Sequence, residues 1–131
     1  MSPQAVLVVE DDEDVRDAVA YVLGSAGYEV REASNGRDAL DVIVARGLPD
    51  LILLDMNMAI MNGWEFAGEL KRRGLRTCPI VVLTAAHDAQ RSAEEIGAVA
   101  FIGKPFELEA LVNAVRRHID GRARGGTSPT P

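Results

Sequence analysis

A single cysteine, Cys78, stands in the 131 residues, so no disulfide can form within the chain. That usage is compatible with a reducing compartment. Positive charge is also scarce: 14 Lys and Arg face 20 Asp and Glu, a net charge of −6. Nucleic acid is therefore excluded as the main ligand, because phosphate binding needs a basic surface. No apolar run approaches the roughly 20 residues needed to span a bilayer. The opening "MSPQA" has neither a positive leader nor an apolar stretch, so no signal peptide is expected. These absences leave an expectation of a cytoplasmic protein that does not enter membranes. What is present fits a single globular domain: hydrophobic residues make up 47% and charged residues 26%.

Five short apolar runs recur: "AVLVV" (5–9), "YEVREA" (28–33), "DLILL" (50–54), "PIVVL" (79–83) and "VAFI" (99–102). Three are continuous Val, Ile and Leu, as in strands covered on both faces, whereas the second alternates like an edge strand. Helical spacing fills the gaps. Val15, Val19, Val22, Leu23 and Ala26 share one helix face, closed by Gly27. Ala39, Leu40, Ile43 and Val44 mark a second helix, opened near Ser34 and Asn35. Trp64, Phe66, Ala67 and Leu70 mark a third, and residues 87–96 a polar fourth. Leu108, Leu111, Val112, Val115 and Ile119 mark a fifth. This alternation predicts an α/β fold with a doubly wound, five-stranded parallel sheet. The domain is expected over residues 4–119. Residues 120–131, rich in Gly, Pro, Ser and Thr, are expected to be a disordered tail or linker stub.

In open parallel sheets, sites form beyond the carboxyl ends of strands. The first strand ends in Glu10-Asp11-Asp12, the third in Asp55, the fourth in Thr84, and the fifth leads to Lys104. A lone Asp at a strand end is more often a helix cap or a solvated loop residue than a site. Convergence of four such ends weakens that plain reading. Crowded carboxylates either raise their pKa values or recruit a cation. With no His–Cys cluster, zinc does not fit, whereas Mg²⁺ takes carboxylates, waters and phosphate oxygens. Mn²⁺ could replace it. Asp11 and Asp12 are paired as metal ligands would be, and Asn57, two residues after Asp55, could offer its backbone carbonyl. A cation, a lysine and a hydroxyl together can stabilise a transferring phosphoryl group. Asp55, alone at its strand end, is then the best nucleophile.

The segments "VVEDDEDVR" (8–16), "PDLILLDMNMAIMNGWE" (49–65), "VVLTA" (81–85) and "FIGKPF" (101–106) together resemble the receiver domain of bacterial two-component response regulators. The resemblance covers roughly residues 4–119. It implies the CheY-like, flavodoxin-like strand order 2-1-3-4-5. Asp55 would accept phosphate from a phosphohistidine. Asp11 and Asp12 would hold Mg²⁺ with Asn57, and Lys104 would pair with Asp55 and then with the phosphate. Thr84 would swing toward a phosphate oxygen, with Ala85 beside it leaving room for water. Phe101 would be the aromatic that turns inward on activation, and Lys104–Pro105 would be cis. The chain departs from the family at Ala59, where Pro is usual, and at Asn62, where Asp is frequent. Phe101 also lacks the hydroxyl of the tyrosine found in some relatives.

The expected partners are a sensor histidine kinase or phosphotransfer protein, and a downstream protein or second copy meeting the face of helix four, strand five and helix five. No direct nucleic-acid or membrane contact is expected. The start at Met1 and the dwindling tail favour a stand-alone regulator over a fragment of a larger regulator or hybrid kinase. An Mg²⁺-dependent phosphatase with an Asp nucleophile is disfavoured, because Asn57 stands where its general acid belongs and no cap segment is evident. A non-phosphorylated pseudo-receiver is disfavoured by the full acidic, Thr and Lys set. His87 and His118 are read as exposed helical residues, Trp64 as partly buried, and Met56, Met58 and Met61 as packing around the loop after Asp55.

Overall fold

A computed structural model describes residues 2–124 and turns each apolar run into a strand. In chain order the elements are β1 (Ala5–Val9), α1 (Glu13–Ser25), β2 (Glu29–Ala33), α2 (Gly36–Arg46) and β3 (Leu51–Leu54). They continue as α3 (Gly63–Arg72), β4 (Ile80–Ala85), α4 (Ala86–Ile96), β5 (Ala100–Lys104) and α5 (Leu108–Arg124). The strands form one parallel sheet in the order β2-β1-β3-β4-β5. The order reverses next to β1, which opens a crevice at the carboxyl ends of β1 and β3.

Continuous apolar runs are explained by burial from both sides. Every residue of β1 and β3 is buried. Leu7, Val9, Ile52, Leu54, Ile80 and Val82 pack against Ala39, Leu40 and Ile43 of α2, Phe66 and Leu70 of α3, and Ala93 of α4. Val6, Val8, Leu51, Leu53, Val81 and Leu83 pack on the other face against Val19 and Leu23 of α1 and Leu111, Val115 and Ile119 of α5. Each fully buried aliphatic side chain contributes about 1.5–3 kcal/mol. The edge strand β2 is only partly covered, which is why its sequence alternates.

Helix starts follow local chemistry. Asn35 caps α2 by accepting from the Asp38 N–H. At α3, Asn62 accepts from the Glu65 N–H, and the Glu65 carboxylate accepts from the Asn62 N–H. Gly27, at φ 101, follows α1. At the far end the structure differs from the sequence reading. The tail was expected from residue 120, yet α5 runs on through Arg124. Residues 122–124 are good helix formers, Gly121 costs only about 1 kcal/mol, and no proline intervenes. The rest of the expected tail, 125–131, lies outside the described residues. None of the described helices is long and apolar enough to cross a membrane.

Candidate functional site

Side chains alternate across a strand, so the residue after a strand has its face fixed by the pleat. Val8, Leu53 and Ile102 all face α1 and α5. Counting two residues on, Glu10 after β1, Asp55 after β3 and Lys104 at the end of β5 take that same side. The backbone holds two of them in register: Glu10 N–H donates to Ala33 O at 3.0 Å, and Asp55 N–H to Val9 O at 2.9 Å. One carboxylate oxygen from each of Glu10, Asp11 and Asp55 lies within 4.8 Å of the others. Lys104 Nζ sits 2.7 Å from Glu10 Oε1 and 3.5 Å from Asp55 Oδ2.

This arrangement differs from the sequence reading in one respect. Glu10, not Asp12, joins Asp11 and Asp55, and it is fully buried. Asp12 lines the same hollow, but its Oδ1 accepts from the Val15 N–H and caps α1. The signals for both were present: the pleat for Glu10, and an Asp three residues before the first apolar helical position for Asp12. Lys104 pairs with Asp55, as expected, and also with Glu10, which lies closer.

Thr84 is buried at the end of β4, and its hydroxyl accepts from Asn57 Nδ2 at 3.2 Å. The Asn57 N–H donates to Asp55 Oδ1 at 3.3 Å. Ala85 lines the hollow beside Thr84, and the following Lys104–Pro105 peptide is cis. Phe101 lies outside the hollow with its ring about half exposed. His87 is exposed, whereas His118 is half-buried on α5. Trp64 is half-buried and donates to Glu95 Oε1 at 2.8 Å. Met56 is fully buried, with Met58 and Met61 packed against the same core.

Gly63 was not singled out by the sequence reading, yet it shapes the loop after β3. A Cβ there would lie 2.7 Å from Met56 Cα and 2.9 Å from Asp55 O. Only glycine allows α3 to start that close to the Asp55 backbone.

Crowding controls the charges. Burial pushes the Glu10 carboxyl up to about 7; the bond from Lys104 pulls against this, and the Asp55 charge adds to the rise. Burial likewise raises Asp55 above the usual aspartate range, against the pull of Lys104. Burial also opposes the Lys104 ammonium, but Glu10 and Asp55 outweigh it and hold its pKa above the usual lysine value. Glu10 and Asp55 thus share one ammonium. The donors of the acidic group are all hard oxygens, which suits Mg²⁺ and not zinc.

The Response regulator receiver domain family matches residues 6–116. The chain is 40% identical to the phosphate regulon transcriptional regulatory protein PhoB of Pseudomonas aeruginosa, an alignment covering 100% of this chain and 58% of that protein. It is 32% identical to sporulation initiation phosphotransferase F of Bacillus subtilis, over 91% of this chain and 96% of that one. Among solved structures, the signal receiver domain of a signal transduction histidine kinase from Syntrophus aciditrophicus superposes with a TM-score of 0.81 at 32% identity, covering 98% of this chain and 97% of that one. The chain spans about half the length of several curated relatives it matches.

Proposed function

This chain belongs to the response regulator receiver domain family, and we propose that it is a phosphorylation-controlled receiver whose phosphoacceptor is Asp55. The observation that carries this reading is the buried Asp55 carboxylate at the carboxyl end of β3, 3.5 Å from Lys104 and inside an acidic group. Such a carboxylate is a nucleophile with its counter-charge already in place.

Glu10, Asp11 and Asp55, with the Asn57 carbonyl, would hold Mg²⁺. Bound there, it would supply positive charge to offset that on the phosphoryl oxygens. An oxygen of Asp55 attacks the phosphorus of a phosphohistidine on a sensor kinase or phosphotransfer protein, and the N–P bond breaks. Lys104 then shifts its pairing from Glu10 toward the new phosphate. Thr84 exchanges its bond with Asn57 for one to a phosphate oxygen, beside Ala85. The start of α4 follows Thr84, and Phe101 turns into the space released. The α4–β5–α5 face changes for a downstream protein or a second copy. The phosphate drives this only by bonding better in one of two states. Residues 4–119 carry this chemistry in the cytoplasm, whether or not further domains are joined to them.

Incubation with acetyl phosphate and Mg²⁺, followed by intact mass measurement, tests the reading. One phosphoryl group should be gained, and Asp55→Asn should abolish the gain. A gain that survives this substitution, or no gain at all, refutes the proposal.

A further inference from the structure

The hollow around Asp55 holds about 790 Å³, far more than an ion and a phosphoryl group fill. Glu10, Asp11, Asp55, Thr84 and Lys104 line its polar end. Asp12, Asp14 and Asn57 also line the hollow, and the other lining residues are apolar. Val15, half-buried against the core, and the exposed Ala18 come from α1, Pro105 and the half-buried Phe106 from the turn after β5, and Leu108 opens α5. Leu108 is 39% exposed and Ala18 and Pro105 are exposed too, so this apolar wall is open to solvent. Apolar walls with a few convergent polar groups are the usual make-up of a small-ligand site.

We propose that this wall is a subsite for the leaving group of a small phosphodonor, and that it favours donors whose leaving group is a flat apolar ring. The inference rests on Asp55 being the phosphoacceptor. In an in-line displacement the leaving group points away from the attacking carboxylate. Asp55 and the apolar wall line one hollow, so a leaving group displaced from Asp55 has that wall within the same space. With an aromatic acyl phosphate, an Asp55 oxygen forms the new P–O bond. The P–O bond to the acyl oxygen breaks, and its electron pair leaves with an aromatic carboxylate. No proton, oxidant or further reactant is needed. A ring lying on Val15, Phe106 and Leu108 removes apolar surface from water, which a methyl group does far less.

Benzoyl phosphate and acetyl phosphate serve as the two probes, since both release carboxylates of similar basicity. Phosphorylation is followed by intact mass in Mg²⁺ across donor concentrations. Benzoyl phosphate should reach half-saturation at a concentration roughly tenfold lower than acetyl phosphate. The double variant Val15→Thr/Leu108→Gln should lose most of that difference, and Leu108→Gln alone, at an exposed position, part of it. Val44→Gln, on the exposed side of α2, should keep it. Equal half-saturation for the two donors overturns the subsite while leaving Asp55 as phosphoacceptor. A preference that persists in both wall variants overturns it as well. Absence of labelling by either donor overturns the receiver reading itself, and this inference with it.

Discussion

Glu10 shows how one buried carboxyl sets the behaviour of the site. In the unfolded chain it titrates near 4.5, and in the fold near 7. Between those values the folded protein binds more protons than the unfolded chain, so stability falls as pH rises through that window and levels off above it. Asp55, also raised, adds a fall of the same sign. Glu10→Gln should therefore flatten most of the decline, as read by urea unfolding at about pH 5 and about pH 7.5; an undiminished decline would remove Glu10 as its source. Ile60 is a second residue with a distinct signature. It has φ 68, is 80% exposed, and sits between Ala59 O and the Met61 N–H that donates to it at 2.7 Å. A β-branched side chain is poorly suited to this tight turn, whereas Asn tolerates left-handed backbone. Ile60→Asn should raise stability by about 1 kcal/mol, seen as a higher urea midpoint with an unchanged slope. Residue-level legibility was uneven for a physical reason. Asp55 and Lys104 each end an unambiguous apolar run. Five acidic residues in a row after β1, Glu10 to Asp14, left the inward one to be chosen, and the pleat, not the adjacency of Asp11 and Asp12, decides it. The conformation of Ile60 is set by its loop against its own preference, so no local pattern announces it.

Among the elements, α4 is held unevenly. At its end, Arg76 donates from Nη1 to Ile96 O at 2.9 Å and from Nη2 to Gly97 O at 3.1 Å. Gly97, at φ 70, closes the helix, and Trp64 reaches Glu95 from α3. At its start, Ala85 offers no side-chain cap, and the helix leaves β4 without a loop. Gly103 of β5 lies so close that a Cβ there would meet Ala86 Cα at 2.6 Å. The start of α4 thus rests on close packing against β5 without a side-chain cap, whereas its far end is held by the Arg76 and Trp64 bonds. Arg76→Ala should cost about 2 kcal/mol, because two carbonyls lose charged donors. Hydrogen exchange should quicken most over α4; uniform quickening across the sheet would argue against a local pin. The strands and the other helices were legible from unbroken Val, Ile and Leu or from apolar spacing. Helix α4 was faint because its buried residues are Ala89, Ser92 and Ala93, small side chains with little hydrophobic signal. The Arg76 clamp was illegible, since it joins residues far apart in sequence that only the finished fold brings together.

At the scale of the whole molecule, folding itself assembles the acidic group. Glu10 and Asp11 come from the end of β1 and Asp55 from the end of β3, strands that become neighbours only through the crossover containing α1, β2 and α2. The unfolded chain separates these carboxylates, so an ion that needs all of them binds the folded state alone. Binding of that kind raises stability by RT ln(1 + [L]/Kd), about 2.7 kcal/mol at a hundredfold excess over Kd. Mg²⁺ should thus raise the urea midpoint at constant ionic strength, a condition that keeps general screening of the −6 net charge the same. Two single substitutions separate the site drawn here from the adjacent-pair alternative. Asp11→Asn removes a member of the acidic group and should abolish most of the Mg²⁺-dependent rise. Asp12→Asn should keep that rise, because Asp12 caps α1 and Asn is an equally good cap. If instead Asp12→Asn loses the rise and Asp11→Asn retains it, the ion is held by the capping residue, and the cluster built on Glu10 is not the metal site.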